Sequence, residues 1–185
     1  MNLFVHERRP ADMASFVRFW SALYDSGRYA EYEEKLTKPL SKEGLESLFK
    51  WKNGGKLSEA KRESVRVNYL ERLDELNALA PETDAAGFLR RFGGGAIWRI
   101  FLLHCWNPSR YPIYDQHVHR AMTYLESGTA SEISSNRETV IHDYLQRYLP
   151  FHATFLGAKP RDLDRALWAF GKFLKRPGFP LPVAR

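Results

Sequence analysis

The chain carries at its centre the segment Phe92-Gly93-Gly94-Gly95-Ala96-Ile97-Trp98-Arg99-Ile100-Phe101-Leu102-Leu103-His104-Cys105-Trp106. Its three consecutive glycines allow the backbone to reverse tightly. The following eleven residues are apolar on nearly every side, which is typical of a helix in the middle of a core. Asn107-Pro108 then ends the pattern. The segment predicts a tight turn that leads into a buried central helix.

Apolar residues recur at helical spacing on both sides of this segment. The patterns, caps and breaks predict helices over 12–24, 41–51, 58–79, 83–92, 115–125 and 139–156, the last kinked at Pro150, and another from residue 160. The Pro-rich tail 177–182 is expected to lie along the surface. Because no convincing strand alternation occurs, we expect an all-α fold. It forms one domain over residues 1–185, in two closely packed lobes with helix 58–79 between them.

Composition narrows the class of protein. The single cysteine, Cys105, excludes an internal disulfide framework and a four-cysteine zinc or iron–sulfur site. The N-terminus lacks a signal-peptide pattern and no apolar run is long enough to cross a bilayer, so we expect a cytoplasmic protein without membrane contact. The net charge of +6 and the basic clusters at 50–66 and 159–185 favour a polyanionic partner. Solvated helix faces would account for either cluster alone.

The glycine turn at Gly93, Gly94 and Gly95 has two interpretations. Without side chains, it would let a phosphate reach the backbone N–H groups at the start of the next helix, where the helix dipole favours an anion. Arg91 and Arg99 flank the turn and would add charge. The plainer interpretation is an interhelical turn that binds nothing.

A second informative segment is Tyr111-Pro112-Ile113-Tyr114-Asp115-Gln116-His117-Val118-His119-Arg120. Asp115 stands between a Pro-containing loop and an amphipathic helix, where it is a natural N-cap. A capping carboxylate is held rigidly and kept ionised. It would therefore also suit a catalytic role, stabilising a cationic sugar or orienting a water molecule.

Together the two segments resemble the helix-hairpin-helix (HhH-GPD) DNA glycosylase superfamily over about thirty residues. The matching residues are Phe92-Gly93-Gly94-Gly95 and Tyr114-Asp115-Gln116-His117-Val118-His119-Arg120, at the family's spacing. The resemblance implies a glycosylase-like helical bundle with the hairpin and catalytic segment in residues 88–125. It also implies double-stranded DNA as partner, Asp115 as the catalytic residue, and a phosphate-binding hairpin formed by Gly93 and Gly95.

The sequence departs from the family pattern at informative positions. Bifunctional members carry a lysine shortly after the hairpin, where this chain has Ile97. Isoleucine cannot form a Schiff base, so we expect a monofunctional glycosylase without lyase activity. The iron–sulfur cysteines are missing, and we expect no cofactor. Gly94 replaces the usual apolar residue, which predicts a more loosely packed hairpin.

The remaining candidates follow from position. His117 and His119 point to different sides of a helix, so we expect no metal site. His117 is expected to make structural hydrogen bonds, as the resemblance implies, and His119 to be exposed. Arg120 is predicted to contact DNA phosphate or pair with an acid, and Cys105 to be an inert buried thiol.

A flipped base is usually held by aromatic rings. The rings considered for the base pocket are Tyr111, Tyr114, Trp20 and Trp51, with Tyr24, Trp98 and Trp106 as further candidates.

These expectations converge on a monomeric, monofunctional DNA glycosylase that removes a modified base and leaves an abasic site. Its setting would be DNA repair or antiviral defence against phage with modified bases; the sequence does not identify the base. Two alternatives remain. One is a non-catalytic DNA-binding helix-hairpin-helix module, and the other is a helical interaction protein in which Asp115 is only a cap.

Overall fold

The computed structural model describes residues 12–175, and within that range it contains helices and no strand. This confirms the all-α prediction. The α-helices are α1 (Met13–Ala22), α2 (Ser26–Lys35), α3 (Lys42–Lys52), α4 (Glu59–Asn68), α5 (Leu73–Asn77), α6 (Ala85–Arg91), α7 (Ala96–Trp106), α8 (Gln116–Ser127), α9 (Arg137–Asp143), α10 (Leu149–Ala153) and α11 (Pro160–Leu174). A 3₁₀ turn (Leu70–Arg72) precedes α5, and a π-helical turn (Tyr144–Tyr148) precedes α10.

Side-chain caps begin several helices where the sequence predicts them. Asp12 accepts the Ser15 N–H at 2.8 Å at the start of α1, and the Ser41 hydroxyl accepts the Gly44 N–H at 3.0 Å at the start of α3. Each cap satisfies a backbone donor that the helix itself leaves without a partner.

The predicted continuous helix over 58–79 is wrong. Helix α4 ends at Asn68, and Tyr69 takes non-helical backbone angles (φ −131°, ψ −50°) before the 3₁₀ turn. The Tyr69 ring is fully buried and stacks on Phe49 with ring centroids 5.0 Å apart. Its hydroxyl donates to the Gly93 carbonyl at 3.1 Å. The helix is therefore interrupted where one side chain must reach both the core and the glycine turn.

Helix α7 is the central helix that its composition predicts. Ile100, Phe101, Leu102, Leu103 and Cys105 have no exposed surface. Burial raises the pKa of the Cys105 thiol to about 12, as expected for an unreactive buried cysteine.

Helices α8 and α11 pack very closely at Gly171. A Cβ atom added at this glycine would lie 2.6 Å from the His117 carbonyl carbon, and closer still to its oxygen. The Arg120 guanidinium donates to the Gly171 carbonyl at 3.2 Å across the same contact. Helix α1 covers the outer side of α11, where Trp20 packs between Phe170 and Phe173. This packing fixes the position of α8, and with it Asp115.

Three buried tyrosines join the loop before α8 to the π-helical turn. The Tyr114 ring lies 5.7 Å from that of Tyr144 and 4.9 Å from that of Tyr148, and the Tyr144 hydroxyl donates to the Pro112 carbonyl at 3.2 Å. The helix predicted over 139–156 is present as a continuous helical stretch over residues 137–153, which is π-helical at Tyr144–Tyr148, and Pro150 lies two residues after this π-helical turn. The tail 177–182 lies outside the described residues.

None of the helices between residues 12 and 175 is both long and apolar enough to cross a membrane.

Candidate functional site

Asp115 is the N-cap of α8, as its sequence context predicts. Its Oδ1 accepts the backbone N–H of His117 at 2.9 Å and of Val118 at 3.1 Å. The side chain is 14% exposed. The carboxylate is therefore held in one orientation, with its second oxygen directed away from the helix.

That second oxygen is paired with Lys52, the last residue of α3. The Lys52 Nζ donates to Asp115 Oδ2 at 2.7 Å, and the lysine side chain is 11% exposed. Burial raises the pKa of the Asp115 carboxyl, but Lys52 and the capping N–H groups lower it more, so the net pKa lies below the usual value. Asp115 is consequently ionised at neutral pH.

A cavity of about 440 Å³ opens beside this pair. Its walls come from α3, α7, α8 and α11 together with neighbouring loops. Four of its lining residues are large aromatics: Tyr24, Trp51, Trp98 and Trp168. Ile97 also lines the cavity and contributes only an apolar side chain. The cavity combines stacking surfaces with an ionised carboxylate, which suits a planar ligand.

Among the four rings first proposed for the base pocket, only Trp51 lines this cavity. Trp20 instead packs against Phe170 and Phe173 of α11. The Tyr111 hydroxyl donates to the Thr83 carbonyl at 3.1 Å, and the fully buried Tyr114 hydroxyl bonds His119 Nδ1 at 2.6 Å. Nearness to Asp115 in the sequence favoured both tyrosines for the pocket, but both are buried in the core, where their hydroxyls find partners.

Trp168 is a cavity residue that sequence reasoning missed. Its ring lies 5.2 Å from that of His117 in an edge-on arrangement. The apolar periodicity of α11 predicts only the face that packs into the core, and Trp168 is not on that face. Arg161, Arg165 and Trp168, at spacings of four and three, form a second face that lines the cavity. This mixed cationic and aromatic spacing was the available signal.

The two arginines of that face are held by aromatic rings and carboxylates. The Arg161 guanidinium lies 4.2 Å from the Tyr32 ring centroid and donates to Asp164 Oδ2 at 2.9 Å. Arg165 pairs with Asp162. Burial raises the pKa of the Asp164 carboxyl above its usual value even with Arg161 beside it. The cavity wall therefore contains cationic groups in fixed positions.

The two histidines of α8, His117 and His119, differ in accessibility. His117 lines the cavity and shares a hydrogen bond with Arg120 at 3.2 Å. His119 was expected to be exposed but is 3% exposed, bonded to Tyr114 and to Ser131. Burial lowers the pKa of both histidines, which favours their neutral forms.

Arg120 does not serve as the predicted DNA contact. Its side chain is 3% exposed and donates bidentately to Glu132, from Nε to Oε1 at 3.1 Å and from Nη2 to Oε2 at 2.8 Å, in addition to the Gly171 carbonyl. The guanidinium is thus used to join α8 to its neighbours, which matches the alternative expectation of pairing with an acid.

The glycine turn joins α6 to α7. Gly94 has φ of +90°, and a Cβ atom there would lie 2.5 Å from the Tyr69 hydroxyl oxygen. Gly95 is the N-cap of α7, makes no side-chain cap, and has open space where a Cβ would be. Contrary to the expected loose packing, Tyr69 fills the space beside Gly94. The open start of α7 remains accessible to a ligand.

A shallow depression with several arginines surrounds this turn. Its cationic lining residues are Arg72, Arg90, Arg91, Arg99 and Arg137, and Glu138 stands among them. Arg72 and Arg91 both bind Glu75 and lower the pKa of its carboxyl to about 2.

Arg99 donates to the Leu89 carbonyl at 2.9 Å. Arg91 and Arg99, which the sequence predicted to flank the turn, both lie in this depression. Arg72 and Arg137 come from distant segments that the sequence could not connect to it.

Within residues 12–175, no group of three or more His, Cys, Asp or Glu side chains converges to hold a metal ion. No protein-family model, characterised protein or solved structure matches the chain.

Proposed function

We propose that this protein is a monofunctional DNA glycosylase of the helix-hairpin-helix (HhH-GPD) superfamily, acting as a cytoplasmic monomer. The observation that carries the proposal is the ionised Asp115 carboxylate in the wall of an aromatic cavity of about 440 Å³. A catalytic carboxylate needs this setting, whereas a helix cap alone does not need a cavity.

In the proposed reaction, a modified base leaves the duplex and stacks among the aromatic rings of the cavity. As the C1′–N bond breaks, the sugar gains positive charge, which the fixed Asp115 carboxylate stabilises. Water adds to C1′ and leaves an abasic site. Ile97 offers no amine at the position where bifunctional members carry their lysine, and the Lys52 Nζ is paired with Asp115. Strand cleavage by the protein is therefore not part of the proposal.

The arginine-lined depression at Gly93 and Gly94, next to Gly95 at the start of α7, is proposed to hold the DNA backbone. A phosphate at the start of α7 would meet backbone N–H groups, the positive end of the helix dipole and the surrounding guanidinium groups. Binding through such contacts releases counterions and should weaken steeply as salt rises.

The direct test uses duplex oligonucleotides that each carry one modified base, followed by alkali to cut abasic sites. The panel includes alkylated, deaminated and oxidised bases for repair, and glucosylated hydroxymethylcytosine for phage defence. Wild-type protein should give nicks only after alkali. Asp115→Asn should lower the rate at least about 100-fold, because it removes the charge. Asparagine preserves the helix cap, so the variant removes the charge of Asp115 without removing the cap at the start of α8.

The alternative function is a DNA-binding module without catalysis. It is favoured by one observation: both Asp115 oxygens already have hydrogen-bond partners. Salt-sensitive DNA binding with no base release from any panel member would support it. Nicking that persists in Asp115→Asn would remove the catalytic assignment, and nicking without alkali would contradict the monofunctional one. Absence of DNA binding at low salt would exclude both functions and leave a helical interaction protein.

A further inference from the structure

The cavity is lined by both basic and acidic side chains. Three basic side chains line it, those of Lys52, Arg161 and Arg165, together with the carboxyl groups of Asp115 and Asp164. The only histidine in the lining, His117, has a pKa lowered by burial and contributes no fixed charge at neutral pH.

Lys52 occupies an unusual position for the proposed chemistry. Its ammonium group lies 2.7 Å from the Asp115 oxygen that is not used for capping. A cationic sugar stabilised by that oxygen would lie beside another positive charge and would be repelled by it. Lys52 must therefore move or lose its proton during the reaction. Its four-carbon stem is flexible, and the cavity beside it is where the base would lie.

We infer that Lys52 delivers the proton to the departing base, and that the cavity consequently acts on neutral bases rather than on cationic N-alkylated bases. This inference rests on the proposed glycosylase function. It assigns Lys52 a catalytic role beyond holding Asp115, because the ammonium group would touch the leaving base.

The proton and electron changes balance without a cofactor. The electron pair of the C1′–N bond stays with the base nitrogen, which takes a proton from the Lys52 ammonium group. The resulting neutral amine no longer repels the cationic sugar, so Asp115 can stabilise it fully. The lone pair of this amine takes the proton that the attacking water loses, while the oxygen of that water bonds to C1′. The products are the neutral free base, which now carries hydrogen on the nitrogen that was bonded to C1′, and an abasic site.

The substrate preference follows from the same charges. An N-alkylated base such as 7-methylguanine already carries a positive charge and leaves without a proton. It would therefore gain nothing from the Lys52 proton, and the ammonium group beside Asp115 would repel it. A neutral base with carbonyl oxygens would instead accept hydrogen bonds from the basic side chains of the lining and would need the proton that Lys52 carries.

The experiment compares full-length wild-type protein, Lys52→Arg and Lys35→Arg on duplexes that contain 7-methylguanine, hypoxanthine, uracil or 5-fluorouracil. Arginine preserves a cation beside Asp115 but does not give up its proton. Lys35 ends α2, pairs with Glu34 at 2.6 Å, lies outside both basic clusters and serves as the matched control. Circular dichroism checks that each variant is folded.

We expect wild-type protein to release one or more neutral bases at least tenfold faster than 7-methylguanine. Lys52→Arg should slow that release about 100-fold or more, while Lys35→Arg should have little effect. The loss should be smaller for 5-fluorouracil than for uracil, because the more acidic base needs less protonation.

Preferred release of 7-methylguanine, or equal losses for uracil and 5-fluorouracil, would overturn the inference while base excision itself stands. If no base of this set or of the wider panel is released, the glycosylase proposal fails and this inference fails with it.

Discussion

Replacing Gly171 by alanine tests the helix contact that positions the candidate site. The added Cβ would lie 2.6 Å from the His117 carbonyl carbon and 3.1 Å from its Cα. Ordinary carbon–carbon contacts are about 3.5–4.0 Å, so α8 and α11 must separate by about 1 Å. The obstacle is backbone rather than a flexible side chain, and a rotamer change cannot relieve it.

The expected cost combines opposing terms. Overpacking costs about 1–3 kcal/mol, and a weakened Arg120–Gly171 hydrogen bond costs about 1 kcal/mol. Alanine recovers about 1 kcal/mol through its helix propensity. The free energy of unfolding should therefore fall by about 2 kcal/mol, which lowers Tm by about 4–8 °C in a chain of this size.

Urea denaturation followed by circular dichroism measures this loss directly. Gly27→Ala in α2 is the control, because it also replaces a helical glycine. Its Cβ would lie 3.4 Å from Asp25 Oδ1, which is an ordinary contact distance. A Gly171→Ala protein as stable as wild type would refute the close packing of α8 on α11. If the glycosylase proposal holds, activity should also fall about 100-fold, since misplacing a reacting group by about 1 Å has that effect.

Gly94→Ala should lower the free energy of unfolding by about 1–3 kcal/mol, since alanine is strained at φ +90° and meets Tyr69; Gly95→Ala, with open space around its Cβ, should leave urea stability nearly unchanged. Cys105 should react with a thiol-specific chromogenic disulfide only after denaturation, because burial raises its thiol pKa to about 12. The lowered pKa of Asp115 stabilises the fold above its unfolded pKa of about 3.9, and this stabilisation is lost as pH falls through the lower folded value. In Lys52→Met, burial is left as the main influence and raises that pKa, so acid unfolding should begin at higher pH; an unchanged acid midpoint would show that Lys52 does not govern the carboxyl.

Local sequence chemistry was sufficient for much of the fold. Asp12, Ser41 and Asp115 are polar residues immediately before apolar periodicity, and each begins a helix as predicted. Helix α2 escaped prediction because its residues, Ser26–Lys35, are mostly polar and give a weak apolar stripe. The break at Tyr69 also escaped, because it depends on partners 20 and 24 residues away in Phe49 and Gly93.

The candidate site was predictable only in part for the same reason. Asp115 and the glycine turn are recognisable because their local spacing carries information. Lys52 lies 63 residues before Asp115, and its role depends on the end of α3 reaching the start of α8. Sequence proximity likewise favoured Tyr111 and Tyr114 for the cavity, while packing placed both in the core and brought Trp168 to the cavity wall.

The buried tyrosines limit the alkaline range in which this fold can persist. Burial raises the pKa of five phenols above their ordinary value of about 10: those of Tyr32, Tyr69, Tyr114, Tyr144 and Tyr148. Their protonated forms support the fold fully below that pH, and the support is lost as pH rises above it, because the unfolded chain can ionise and the core cannot. Each phenol then contributes up to about 1.4 kcal/mol of destabilisation per pH unit, or about 7 kcal/mol together. A typical domain is stable by only about 5–15 kcal/mol, so the aromatic core that shapes the cavity also makes the protein vulnerable to strong base.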